Sequence, residues 1–407
     1  MIIGFLTKGT GISGGINVVL NYCLGLQELG HEIYLLSESG AQSDISWHKA
    51  HNKIQIFNVN QVPDDLVFDV LIATFWITSF DLPLFKSKKY AYFIQSIESR
   101  FYKEQNYKNF VDSSYVLPLF PITEAKWIKE YLLKNFNQNA FLVKNGIDKT
   151  IFHKNVVPLE KREAGKLRVL VEGPLTIDFK NTKKAIELAL KSEADEVWLL
   201  TSSSINSFLG VDRVFSEIPM QETAAIYSSC DLVLKLSYVE GMFGPPLESF
   251  CCGGTAITFD VTGHDEYMVD GYNSIIIKTD EDEQVISAIN KLKNDPLLLN
   301  HLKAGALETA NNWPDWDSQT KEFETILKFI NLKEDNNGFY LKNMSDLFKN
   351  FFEQSKHEIQ IKEPSKASKS VFSKFNLKKS FLKIGKRLNY HYASKKLQKI
   401  SSSSSHE

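Results

Sequence analysis

The chain has 407 residues, 43% of them hydrophobic and 24% charged, which exceeds what one core usually supports and leads us to expect two domains of ordinary size. No apolar run reaches the roughly 18 residues of a membrane-spanning helix, and four scattered cysteines exclude both a disulfide ladder and a C-x-x-C metal site, leaving reduced thiols. The net charge of −2 hides an asymmetry, because residues 364–400 carry eleven Lys and Arg and no acid, so that the rest of the chain is net acidic.

Ile2 to Leu6 is a predicted strand, and its short apolar run precedes the first lysine, the reverse of a signal peptide. A glycine-rich turn from Thr7 to Gly15 follows, then a helical pattern ending at Gly30 and a second strand from Glu32 to Leu36: one βαβ unit. Gly9, Gly11 and Gly14 satisfy G-x-G-x-x-G, with Glu38 as the acid after the second strand, so a dinucleotide site and a simple capped turn both remain open. In either case glycines let an anion approach the helix N-terminus, where amides are unpaired.

Further strands are expected at Ile54 to Phe57, Asp69 to Thr74 and Tyr90 to Ile94, with a helix at Glu124 to Asn135 and aromatic loops at 75–85 and 92–102. Asn145-Gly146 is a turn signal, and the charged, unpatterned stretch from Val157 to Lys166 reads as a linker. Lys166 to Glu172 then opens a second strand-loop-helix unit, whose loop runs from Gly173 to Asn181. This repeat of the opening motif implies two doubly wound sheets.

A strand at Glu196 to Thr201 and a helix at Gln221 to Cys230 lead to the apolar strand Asp231 to Leu236. Beyond it, Ser237 to Gly254 places Glu240 at the strand's carboxyl end and Glu248 inside a helix that Pro245-Pro246 can start, since the first turn needs no amide donor. Ligands of open α/β sheets bind outside the carboxyl ends of strands, and a carboxylate there accepts hydrogen bonds from sugar or ribose hydroxyls. Strands at Gly254 to Phe259 and Ile275 to Ile277 and helices at 282–293 and 297–310 follow, while His264-Asp265 reads as a helix cap because no second histidine stands at ligand spacing. Asp317 to Ile330 has a helical apolar face at Phe323, Ile326, Leu327 and Ile330.

The segment around the two glutamates resembles the E-x7-E signature of retaining GT-B glycosyltransferases of family 4, with Asp231, Ser237, Glu240, Gly241, Pro245, Leu247, Glu248 and Gly253 at matching places. The usual EGFG order reads here Glu240-Gly241-Met242-Phe243-Gly244, one position out of phase. Val143 to Asp148 with Phe152 is similar to the segment that closes the first domain, and the 173–181 loop to the segment whose lysine, here Lys180, binds a diphosphate. Pro174 stands in the place of that segment's arginine, with Lys183, Lys184 or Lys235 as replacements.

The resemblance covers residues 1–331 and implies a GT-B fold, two Rossmann-like domains facing across a cleft. Residues 1–160 would form the acceptor side and 161–315 the nucleotide-sugar side, with a crossover helix at 316–332 and a C-terminal extension at 333–407. It further implies that Gly14, Gly15 and Lys180 hold the donor diphosphate and Glu248 the ribose hydroxyls. Glu240 contacts the transferred sugar, and Gly173, Gly241, Met242, Phe243 and Gly244 complete the donor site, with Glu240 and Lys180 as the catalytic pair. No metal or cofactor is expected, only a nucleotide-sugar substrate and a glycan or lipid-linked glycan acceptor for cell-surface polysaccharide synthesis. The family's histidine near Gln95-Ser96 is absent, leaving Glu98 and Arg100 as substitutes or as a surface ion pair.

The rival readings are an NAD-dependent oxidoreductase and a non-catalytic binding protein of the same fold. In the basic segment, Leu377, Phe381, Ile384 and Leu388 form one helical stripe among lysines, which predicts a cytoplasmic protein held peripherally on the anionic inner face of the cell membrane, with no nucleic-acid partner.

Overall fold

The structure is a computed structural model that describes residues 1–38, 45–334 and 338–361. The basic segment 364–400 lies outside the described residues.

Seven strands form the first sheet: β1 (Ile2–Thr7), β2 (Glu32–Ser37), β3 (Gln55–Asn58), β4 (Phe68–Ala73), β5 (Ser87–Ile94), β6 (Phe120–Thr123) and β7 (Phe141–Leu142). All run parallel in the order β3-β2-β1-β4-β5-β6-β7. Helices α1 (Gly14–Glu28), α2 (Trp76–Asp81), α3 (Gln105–Ser114) and α4 (Lys126–Phe136) cover its faces. The second sheet holds β8 (Arg168–Glu172), β9 (Glu196–Thr201), β10 (Arg213–Ser216), β11 (Leu232–Lys235), β12 (Thr255–Phe259) and β13 (Ile275–Ile277), parallel in the order β10-β9-β8-β11-β12-β13. Its helices are α5 (Thr182–Lys191), α6 (Met220–Ser229), α7 (Gly244–Cys251), α8 (Asp282–Asn294) and α9 (Pro296–Asn312).

In each sheet the strand order reverses beside the first strand, between β1 and β4 and between β8 and β11, which opens a crevice at the carboxyl ends there. The glycine-rich turn leaves β1, the Lys180 loop leaves β8 and the Glu240 loop leaves β11. All three therefore meet the same cleft.

The chain crosses between the sheets at two adjacent points. Ile147 bridges Asp315, its amide donates to the Pro314 carbonyl at 3.1 Å, and a Cβ on Gly146 would lie 2.4 Å from the Trp316 nitrogen. Residues 147–166, which the sequence divides at 160, pack against the second sheet. Ile147 and Phe152 lie in its core, and Arg162, read as part of a free linker, is fixed by donating to the carbonyls of Gly253 at 2.7 Å and of Tyr227 and Cys252 at 3.2 Å.

Helix α10 (Trp316–Asn331) returns to the first sheet, where Phe323, Leu327 and Ile330 are fully buried with Phe5, Tyr22 and Phe93. Gly25 in α1 permits this approach, since a Cβ there would stand 2.5 Å from Thr320 Oγ1. A further helix, α11 (Gly338–Ile361), packs on α2 and α3. Leu341, Met344, Phe348 and Phe352 fall at helical spacing on its buried face, and Phe352 stacks on Phe110 with ring centroids 4.2 Å apart. Part of the C-terminal extension is thus core of the first domain.

Candidate functional site

At the centre is Glu240, just past the end of β11. One carboxylate oxygen, Oε2, accepts from Lys180 Nζ at 2.8 Å, and the other lies 3.9 Å from Lys235 Nζ. Burial alone would push this carboxyl up, but Lys180 and then Lys235 outweigh it and hold Glu240 below the ordinary carboxylate value. Its Oε1 is buried and accepts no hydrogen bond from the described residues.

Lys235 is buried at the end of β11 and bonds the Glu172 carboxylate. Burial opposes its charge, yet Glu172 and Glu240 more than compensate and raise its pKa, so the ammonium persists. Among the three lysines that could replace the missing arginine, Lys235 is the one beside Glu240. Lys184 is turned to Asp280 and Asp282 at 3.0 and 2.8 Å, and Lys183 is exposed. Gly173 sits next to Lys235 with φ +146°, and a Cβ on it would meet Thr182 Oγ1 at 2.6 Å and Lys235 Nζ at 3.7 Å.

Glu248 lies in α7, whose first turn carries Pro245 and Pro246. Burial raises its carboxyl to about 7, against the lowering effect of a hydrogen bond with Tyr227. It borders a small cavity of about 40 Å³ shared with Asn17, Asn21, Lys49, Gln221 and Trp316, so it faces the junction of the two domains.

Gly14 and Gly15 open α1, capped by the Ser13 hydroxyl, which accepts from the Ile16 amide at 3.3 Å. No atom stands within 4 Å of a Cβ placed on Gly14, whereas one on Gly15 would lie 3.3 Å from Gln95 Oε1. The backbone carbonyl of the same Gln95 fills the space where a Cβ of Gly241 would go, at 1.9 Å. Gln95 therefore lies between the glycine turn of one domain and the glutamate loop of the other.

The first domain also holds that loop. The Met242 amide donates to Glu124 Oε1 at 2.9 Å, and Trp127 Nε1 donates to the Gly241 carbonyl at 3.0 Å. Glu266 returns the contact by accepting from the Lys126 and Trp127 amides, at 2.6 and 3.2 Å, at the start of α4. The Phe243 ring is fully buried in the core of the second sheet and its carbonyl accepts from the Tyr267 hydroxyl, so its side chain anchors the loop. Gly244 begins α7 with open space around it.

Glu98 and Arg100 do not pair. Glu98 is buried, accepts from the Trp76 amide at 2.7 Å and the Tyr92 hydroxyl at 2.8 Å, and is pushed up to about 8 by that burial. Arg100 lies over the Trp127 and Tyr131 rings, 5.0 and 5.1 Å from their centroids, and reaches Thr262 Oγ1 at 3.4 Å. Next to it Phe101 stacks on Phe179 across the cleft mouth at 4.7 Å and 6°. His264 bonds its own loop through the Val261 carbonyl, and Glu38 is exposed at the end of β2. Glu124, Gln95 and Trp127 escaped sequence reasoning. Gln95 had one signal, its position directly after the strand predicted at Tyr90 to Ile94, whereas Glu124 and Trp127 follow β6, which the sequence did not reveal.

Two Rossmann-like domains with their crevices facing each other define the GT-B architecture, and solved structures agree. HepE of Anabaena, in complex with UDP and glucose, superimposes with a TM-score of 0.66 over 81% of this chain and 100% of its own at 13% identity. Sucrose-phosphate synthase of Thermosynechococcus elongatus gives 0.64 over 81% and 98% at 14% identity, and a glycosyltransferase of Rickettsia africae 0.60 over 82% and 99% at 13%. Residues 213–309, from β10 through most of α9, match the family described as Glycosyl transferases group 1. An uncharacterized glycosyltransferase of Methanocaldococcus jannaschii is 27% identical over 117 residues, which span 28% of this chain and 29% of that relative.

Proposed function

We propose that the protein is a retaining glycosyltransferase of the family 4 type, moving a sugar from a nucleotide-sugar donor to a hydroxyl of a glycan or lipid-linked glycan in cell-surface polysaccharide synthesis. The single observation that carries this reading is the Lys180–Glu240–Lys235 cluster at the second sheet's switch point. An ammonium has three donors, and Lys180 gives one to Glu240, so the others can serve diphosphate oxygens. Lys235 supplies the second positive charge in place of the arginine that Pro174 displaces. Gly14 and Gly15 bring the α1 amides to the same phosphates.

In this reading Glu248 accepts the ribose hydroxyls and Glu240 offers its unpartnered oxygen to the transferred sugar. The reaction runs on one face: the departing phosphate oxygen takes the acceptor proton as the new glycosidic bond forms. The protein contributes positioning and charge stabilisation, and requires no metal. The UDP and glucose bound by HepE favour a nucleotide-sugar donor here. A dehydrogenase would leave the two-lysine cluster without a purpose.

The basic segment 364–400 would keep the enzyme at an anionic cytoplasmic membrane surface beside a lipid-linked acceptor. No helix among the described residues is long and apolar enough to cross a membrane.

A thermal-shift screen of nucleotides and nucleotide sugars ranks donors, because a ligand stabilises by RT ln(1 + [L]/Kd). The best donor is then assayed for nucleoside diphosphate release with and without glycan acceptors, in EDTA. No stabilisation by any nucleotide, or no release with any acceptor, refutes the proposal.

A further inference from the structure

Glu124 stands where β6 ends and α4 begins, and its side chain is buried although it belongs to the first domain's cleft edge. Both of its oxygens bond groups outside that element. Oε1 accepts from the Met242 amide at 2.9 Å, in the loop of the second domain, and Oε2 accepts from Asn145 Nδ2 at 2.9 Å, at the residue before the crossing point. Asn145 in turn receives Trp313 Nε1 on its carbonyl at 2.8 Å, which places it at the second crossing as well.

The loop so held is short of other freedom. Gly241 has the Gln95 carbonyl and Glu124 Oε1 where a Cβ would be, at 1.9 and 2.9 Å, and its own carbonyl is taken by Trp127. Glu240 precedes it directly, with Oε1 buried, 3.9 Å from Lys235 Nζ and without a hydrogen bond from the described residues. One of the Glu124 bonds stays in the first domain, at Asn145, and the other leaves it for the Met242 amide of the second. Together they tie the hinge to the loop that carries Glu240.

We propose that Glu124 is a positioning residue for glycosyl transfer: its carboxylate fixes the 240–244 loop against the first domain and thereby aims Glu240 at the transferred sugar. The inference rests on the glycosyltransferase reading. Burial pushes the Glu124 carboxyl up to about 7, against the bonds from Met242 and Asn145 that favour its ionised form, and the 2.9 Å bond to the Met242 amide constrains the loop in direction as well as distance. Its benefit appears in the transition state, where a misplaced Glu240 costs rate, and far less in binding the nucleotide, which Lys180, Glu248 and the Gly14-Gly15 amides hold from outside the 240–244 loop. Glutamine keeps an oxygen that can accept from Met242, and its amide can donate to Asn145 Oδ1, which accepts no hydrogen bond from the described residues, once the Asn145 amide turns over.

The test compares the parent with Glu124→Ala, Glu124→Gln and Trp127→Phe, measuring kcat and KM for the donor, the Kd for nucleoside diphosphate, and amide hydrogen exchange across 240–244. Glu124→Ala is expected to lower kcat by about ten- to a hundredfold with the diphosphate Kd within about threefold, and to speed exchange at Met242 by at least about tenfold. Glu124→Gln should recover kcat to within about fivefold of the parent, and Trp127→Phe, which removes the bond to the Gly241 carbonyl, should lower kcat less than Glu124→Ala does. Loss of diphosphate affinity equal to the loss of kcat, a kcat for Glu124→Ala within about threefold of the parent, or a Gln variant as slow as Ala overturns the inference. Should Glu124→Ala not fold, Trp127→Phe carries the comparison, and unchanged kcat in that variant overturns it. A parent that turns over no nucleotide sugar refutes the proposed function instead. In that event exchange at Met242 still decides whether Glu124 holds the loop.

Discussion

Removing the Lys180 ammonium tests the core of the site. Its Nζ lies 2.8 Å from Glu240, with side-chain exposures of 23% and 7%, so the pair is shielded but open to the cleft. A hydrogen bond to a charged group contributes about 1.5–3 kcal/mol, so Lys180→Ala should weaken a nucleoside diphosphate by roughly ten- to a hundredfold and leave the nucleoside nearly unchanged. The substitution also leaves Glu240 with Lys235 alone, 3.9 Å from its other oxygen. Breaking an uncompensated buried pair costs about 3–5 kcal/mol, and the remaining lysine keeps the expected loss of stability below that range.

The pH dependence follows with a definite sign. In the parent the folded Glu240 carboxyl lies below its ordinary value, so its contribution is present above the unfolded pKa and disappears as pH falls through the folded one. Without Lys180 the burial contribution gains weight and the carboxyl rises, so the variant's stability relative to the parent should improve as pH drops. Calorimetric titration of diphosphate and nucleoside, with denaturant unfolding at several pH values, provides the readouts. Equal weakening of both ligands would refute the assignment.

Three other outcomes are expected. Glu248 is held near 7, and its ionised form accepts ribose hydroxyls, so nucleoside affinity should rise as pH climbs from about 6 to 8, and Glu248→Gln should make it flat by calorimetry. Burial raises Glu98 to about 8, so the folded protein binds that proton more firmly than the unfolded chain and loses stability as pH rises from the ordinary carboxylate range towards 8; Glu98→Gln should reduce this slope in urea unfolding. Phe352→Ala should cost about 3–5 kcal/mol in the same assay, because it empties the stacking position against Phe110.

Much of the architecture was legible because parallel strands buried on both faces read as continuous apolar runs: β1, β4, β9 and β12 all do so. The strands that escaped are short or interrupted. β6 contains Pro121, β7 has two residues, and β10 begins with the exposed Arg213. The stripe of Leu341, Met344, Phe348 and Phe352 in α11 is periodic, but nothing local encodes that it covers α2 and α3 more than 200 residues earlier. At the site, Lys180 and Glu240 were singled out by the resemblance of their segments to family motifs, and they are ion-paired. Glu124 could not be singled out so, since its importance lies in a contact 118 residues away along the chain, and no local pattern encodes which loop a side chain will meet across a cleft.

The return of α10 and α11 to the first sheet has a consequence for biosynthesis. The second domain is continuous in sequence from the first crossing at 146–147 to the second at Asp315, so everything it needs is available once that stretch has emerged from the ribosome. The first domain starts earlier but stays incomplete, with Phe5, Tyr22 and Phe93 uncovered until Phe323 and Ile330 are made, and Phe80 and Phe110 until Phe348 and Phe352 follow. The half that is translated first is therefore the half that closes last, and its exposed aromatic surface during that interval is where a chaperone would be needed.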